Sequence, residues 1–158
     1  MPTIYTSLWF DTQGLEAAEF YVSIFPNSQI VEVVPWGDDN PERAGQPLTV
    51  HFRLDGRDFI ALNGGPEFTF DEAVSIQVDC ADQAEIDHYW ERLLEGGGQE
   101  VRCGWLKDRY GLSWQITAER LNELMRDPDR ARAGRAMEAM MRMVKIDVAE
   151  LERAADAA

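Results

Sequence analysis

Apolar and polar residues alternate without a break from Leu112 to Thr117. Leu112, Trp114 and Ile116 fall on one side of a strand, and Ser113, Gln115 and Thr117 on the other. Gly111 can take the positive φ that a tight turn requires. The stretch from Cys103 to Ile116 therefore predicts two short strands with a turn between them. One side suits a core, and the other offers hydroxyls and an amide. Residues 3–10 predict a strand, residues 15–25 a helix stopped by Pro26-Asn27, and residues 28–34 a second strand. The segment from Pro35 to Pro47 carries three prolines and two glycines and reads as a loop. Residues 48–54 and 57–63 flank Asp55-Gly56, a strong hairpin signal.

The same order then returns. Residues 73–79 predict a strand, Gln83 to Glu95 a helix ended by Gly96-Gly97-Gly98, and residues 99–103 a further strand before the hairpin already described. A shift of 68 superposes Ser7 on Ser75, Phe10 on Val78 and Tyr21 on Tyr89. A shift of 55 superposes Gly56 on Gly111 and Phe59 on Trp114. The difference, 13, is the length of the segment from Pro35 to Pro47. The chain therefore reads as two βαβββ copies, an α+β architecture with a loop inserted in the first copy. Beyond them, Glu119–Arg126 and Asp129–Val144 predict two helices split by Asp127-Pro128, and Asp147 caps a short third one. Leu121, Leu124, Met137, Met140, Met141 and Val144 form an apolar stripe that would pack on the sheet, or serve as a subunit interface or lid.

Length and charge narrow the function classes. A chain of 158 residues with 45% hydrophobic content can fill one ordinary core. The expected organisation is a single domain over 1–158, with module one at 1–66, module two at 67–118 and a helical extension at 119–158. A formal charge of −14 repels phosphate backbones and anionic lipid, so neither nucleic acid nor a membrane is an expected partner. No apolar run matches a membrane span and the first ten residues do not resemble a signal peptide, so a cytoplasmic location is expected. Cys80 and Cys103 are too few for a disulfide framework and fit no zinc pattern; free, mostly buried thiols are expected.

Leu8-Trp9-Phe10, Ala17 to Tyr21, Leu62 to Pro66, Tyr89-Trp90 and the whole run from Cys103 to Ile116 resemble the PhnB-like branch of the vicinal-oxygen-chelate superfamily. That superfamily includes glyoxalases, bleomycin-resistance proteins and extradiol dioxygenases, and the branch often carries the label demethylubiquinone methyltransferase. The helical tail from Asp127-Pro128 to Lys145-Ile146-Asp147 is similar too. The resemblance implies two βαβββ modules forming a curved mixed sheet around a small-molecule cavity, and a homodimer, with or without exchange of modules. It also implies four metal-ligand positions, which fall near Tyr5, Ile60 or Leu62, Ala73 and Gln115. Of these only Gln115 suits a divalent cation in a water-lined site. No cofactor is therefore expected, a divalent metal being the alternative. The methyltransferase label lacks a glycine-rich strand-to-helix turn in a doubly wound sheet.

By alternation, Ser7, Trp9, Ser75, Gln77, Ser113 and Gln115 lie opposite the helix-packed face and are the expected ligand-binding residues. Trp9 would stack a planar ligand or close the cavity floor. Gln77 and Gln115 would hydrogen-bond a ligand, or bond between strands. Cys103 as nucleophile and Asp108 as base are the weaker catalytic candidates. Cys103 has no adjacent activating base, and Asp108 in Lys-Asp-Arg is more often a solvated or paired surface charge. His51 reads as a proton shuttle or as an incidental strand residue. The sequence thus favours a small-molecule-binding protein of this fold. The alternative is a metal-dependent or cysteine-assisted isomerase, lyase or dioxygenase.

Overall fold

The computed structural model describes residues 1–157. They fall into two compact units, residues 1–69 and the described residues from 70 onward. The first contains β1 (Thr6–Phe10), α1 (Gly14–Ile24), β2 (Gln29–Pro35), β3 (Pro47–Leu54) and β4 (Arg57–Asn63). The second contains β5 (Ser75–Cys80), α2 (Gln83–Leu94), β6 (Gln99–Glu100), β7 (Trp105–Lys107), β8 (Ser113–Ala118), α3 (Glu119–Met125), α4 (Arg130–Met141) and α5 (Val148–Asp156). The sheets have the orders β1-β4-β3-β2 and β5-β8-β7-β6. In each, the first and fourth strands pair in parallel and the rest of the sheet is antiparallel. The duplicated α+β architecture is thus present strand for strand.

In module one, Leu8, Phe10, Val50, Phe52, Leu54, Phe59 and Ala61 are buried on one face of the sheet. Ala17, Ala18, Tyr21 and Ile24 of α1 are buried as well, and α1 packs chiefly on β3 and β4. No side chain of α1 itself caps the helix. Instead Asn63, buried at the end of β4, accepts from Gly14 N at 2.8 Å and donates to Pro47 O at 3.0 Å. A Cβ on Gly14 would come within 2.7 Å of Asn63 Oδ1, so the helix can start here only on glycine. In module two, Leu106, Trp114, Ile116 and Ala118 take the buried face, and Ile86, Trp90 and Leu93 of α2 are buried with them.

The two hairpins differ. Asp55 and Gly56 both have positive φ (43° and 80°), so two residues reverse the chain. The second connection runs over residues 108–112, longer than the tight turn expected from the sequence. Asp108 explains the extra length. It accepts from Tyr110 N (2.9 Å) and Leu112 N (3.1 Å), and its other oxygen accepts from Trp114 Nε1 (2.9 Å). At 3% exposure it is no surface charge but the buried knot of the turn.

The extension belongs to the second unit. Helix α4 ends at Met141 rather than Val144 because the chain turns there to bond module two. Cys103 N donates to Met143 O and Gly104 N to Val144 O, each at 2.8 Å. Both donors lie at positive φ (59° and 82°). Gln83 donates to Ile146 O at 3.0 Å and accepts from Val148 N at 2.9 Å, which seats Ile146 in the core. The buried side of α4 consists of Ala133, Ala136 and Ala139; Met137, Met141 and Val144 of the expected stripe are exposed. Small residues let α4 lie close against α5, where Ala155 and Leu151 are buried. No helix among the described residues is long and apolar enough to cross a membrane.

Candidate functional site

Cα partners in adjacent strands carry their side chains on the same face, so the strand register sets out the face turned away from α2 row by row. Lys107, Ser113 and Ser75 form one row, and Trp105, Gln115 and Gln77 the next. Four of the expected residues thus stand together on one surface. Gln115 Nε2 donates to Ser75 Oγ at 2.8 Å, a bond along the expected inter-strand direction. Gln77 is exposed and donates to Asp79 Oδ1 at 2.8 Å on its own strand. Ser113 is 1% exposed, and its hydroxyl has no hydrogen-bond partner among the described residues. Lys107 forms an ion pair with Glu72, which holds the Glu72 carboxyl below its ordinary value, chiefly through the hydrogen bond from the ammonium.

Trp105 and Lys107 were not among the expected residues. The signal lay in the alternation of Trp105-Leu106-Lys107, where Leu106 is fully buried and its neighbours stand on the opposite face. They supply this surface with an aromatic ring and its positive charge.

The corresponding face of module one is different. Ser7, Ile60, His51 and Glu32 form one row, and Trp9, Leu62, Thr49 and Val34 the next. Ser7 is exposed. Trp9 is fastened: its Nε1 donates to Gly65 O at 2.9 Å, and Phe68 meets its ring edge-on at 4.9 Å. A Cβ on Gly64 would lie 2.4 Å from the indole, so the loop after β4 closes on that ring. His51 is less incidental than the sequence suggested. Its Nε2 lies 2.8 Å from Asp58 Oδ1, and Tyr5 packs edge-on against its ring. Arg53 donates to the same oxygen at 3.1 Å. The Asp58 carboxyl is held below its ordinary value, first by the hydrogen bond to His51 and then by Arg53.

Neither catalytic candidate sits in an activating arrangement. Cys103 is a partly exposed thiol, not a buried one, in a turn whose backbone N–H holds the tail. Asp108 spends both oxygens on N–H donors within its own hairpin. Cys80 is buried as expected, and burial first, then the surrounding carboxylates, push its thiol up to about 12.

The metal positions implied by the resemblance do not supply a donor set. Ile60, Leu62 and Ala73 have no ligating atom, and the Gln115 amide is engaged by Ser75. Among the described residues no three His, Cys, Asp or Glu side chains converge. Gly96–Gly98 follow α2 instead of opening a helix, so they form no phosphate-binding turn. A small hollow lies elsewhere, beside the loop between β2 and β3, where Arg43 and Trp36 line it with Asn63. None of the expected ligand-binding residues borders it.

Comparison with known proteins accords with this arrangement. The family model described as 3-demethylubiquinone-9 3-methyltransferase matches residues 2–117. The structure of a putative 3-demethylubiquinone-9 3-methyltransferase, PhnB protein, from Bacillus cereus is 32% identical, with a TM-score of 0.67 over 74% of this chain and 99% of that one. A protein from Pseudomonas aeruginosa is 21% identical, with a TM-score of 0.61 over 75% of this chain and 98% of its own. The fosfomycin resistance protein FosX from Listeria monocytogenes, 15% identical with a TM-score of 0.51, shares the fold over 78% of this chain and 97% of its own. No curated protein matches. The match to the family stops before α3, so the helical tail lies outside it. This chain belongs to the PhnB-like family that carries the 3-demethylubiquinone-9 3-methyltransferase description, within the vicinal-oxygen-chelate superfamily.

Proposed function

We propose that this protein binds a small organic molecule on the face of module two turned away from α2, without a catalytic metal and without a methyl donor. The observation that carries the reading is the Ser113 hydroxyl, buried and unpartnered beside the bonded pair Gln115–Ser75. Buried polar groups are nearly always satisfied, and a row of hydroxyls and amides next to an aromatic ring is how ligand sites are lined. The methyltransferase description finds no support in these residues, because the mixed sheet offers no doubly wound crevice for a donor. A homodimer, as the resemblance implies, belongs to the same reading, and sedimentation velocity at micromolar concentration tests it.

The test is native mass spectrometry of the purified protein, followed by amide chemical-shift mapping with whatever co-purifies. The expected result is a small-molecule adduct whose shifts centre on Ser75, Trp105, Ser113 and Gln115, and whose affinity falls in Gln115→Ala. Elemental analysis and thermal shift with zinc, nickel, manganese, iron and magnesium ions should show no stoichiometric metal. A bound metal lost on Gln115→Ala overturns the reading.

A second reading, a proton-transfer enzyme, is favoured by one contact. A carboxylate at 2.8 Å orients the His51 ring as general bases are oriented. Turnover of any carbonyl substrate that disappears in His51→Gln, with folding intact, would establish it.

A further inference from the structure

Strand β8 lies between β7 and β5. Lys107 on β7 stands in one row with Ser113 on β8 and Ser75 on β5, yet its ammonium reaches Glu72, three residues before Ser75. The ion pair therefore joins the segments that flank β8, on the face where the Ser113 hydroxyl is buried without a partner. Glu72 is the more exposed partner, with 58% of its side chain in solvent against 29% for Lys107. Surface ion pairs of this kind hold weakly and exchange readily.

We infer that Glu72 acts as an internal stand-in for ligand, and that the site on module two takes a carboxylate-bearing small molecule, which displaces Glu72 from Lys107 and accepts from the Ser113 hydroxyl. The inference rests on the binding reading above and names its ligand class. Three features of the row fit this chemistry. Lys107 supplies one positive charge, matched to one carboxylate; a phosphate dianion would need more. Ser113 supplies a donor that no group among the described residues accepts from. Trp105, one row on, offers an aromatic surface for the body of the molecule. The exchange conserves charge, because Lys107 is paired before and after and Glu72 moves into water.

The test is titration of the full chain with benzoate, pyruvate and the neutral analogue benzamide, followed by amide chemical shifts and calorimetry. Both acids should perturb Ser75, Lys107, Ser113 and Gln115, and benzamide should bind at least about tenfold more weakly. Glu72→Gln, a surface change that leaves the core intact, should tighten benzoate by about threefold to tenfold, and Lys107→Met should weaken it about tenfold or more. Ser113→Ala should weaken it with a smaller effect. Equal binding of benzamide and benzoate at these residues overturns the carboxylate inference and leaves the binding reading standing. So does benzoate affinity unchanged in both Glu72→Gln and Lys107→Met. Perturbation confined to other surfaces, by acids and benzamide alike, overturns both.

Discussion

The two modules repeat one strand order but place opposite materials on the face turned away from their helix. In module one the two central rows pass through Ile60 and Leu62, the indole is tied to Gly65, and the charged groups satisfy one another. In module two the equivalent rows pass through Ser113 and Gln115, and a hydroxyl is left over. The helix-packed faces are thus alike in being mostly apolar, with Asn63 the buried polar exception in module one, while the other faces differ. The hairpins diverged with them. One turns on two residues of positive φ, Asp55-Gly56, with Asp55 N donating to the Ser28 hydroxyl, and the other on a buried carboxylate, Asp108.

That contrast can be broken most forcefully at Asp108. Asp108→Ala strands the Trp114 indole N–H and two backbone N–H groups in the interior. It should cost about 3–4 kcal/mol in urea unfolding, since each orphaned donor carries its own desolvation penalty. The corresponding turn variant in module one, Gly56→Ala, meets no neighbour but keeps an unfavourable φ, and should cost only about 1 kcal/mol. Comparable losses at the two hairpins would erase the distinction. Between them lies Asn63→Ala, which removes the side chain joining α1 to β3 and should cost about 2 kcal/mol, read as the thermal midpoint.

A smaller effect concerns the charged cluster of module one. The folded-state value of Asp58 is depressed, so its contribution to stability is complete above the unfolded-state carboxylate value of 3.8 and is lost as pH falls through the lower folded value. The wild type should therefore lose stability more steeply than Asp58→Asn below pH 3.8, and the two curves should run parallel above that range. A constant difference down through the acid range would mean that the His51–Asp58 contact is not electrostatic. The least conspicuous outcome is chemical. With its thiol pushed up to about 12, Cys80 should stay unmodified by iodoacetamide at neutral pH until the protein unfolds.

Much of this was readable from period-2 alternation and punctuation. Leu112, Trp114 and Ile116 had to share a face, Asp55-Gly56 had to turn, and Asp147 had to cap, as its bond from Glu150 N shows. What stayed hidden was contact between residues far apart in sequence. Asn63 reads as a turn residue, and only the fold brings its amide to Gly14 and Pro47. His51 looks isolated until β4 brings Asp58, opposite Arg53, within reach of its ring. Asp108 looks charged and exposed, because nothing local reveals that Trp114 will aim its N–H back at it. Trp105 and Lys107 were hidden for a simpler reason: a three-residue strand is too short for alternation to stand out.

The hydrogen bonds from Cys103 and Gly104 to Met143 and Val144 tie the appended helices to a module whose match to the family model ends at residue 117. Cutting this chain back to residues 2–117, the span that the family model matches, would expose two backbone donors at a left-handed corner, uncover the pocket that Ile146 fills, and leave Gln83 facing water. An extra segment of this kind cannot be treated as a removable appendage; trimmed versions made for crystallisation or screening should be compared with the full chain before any ligand result from them is believed.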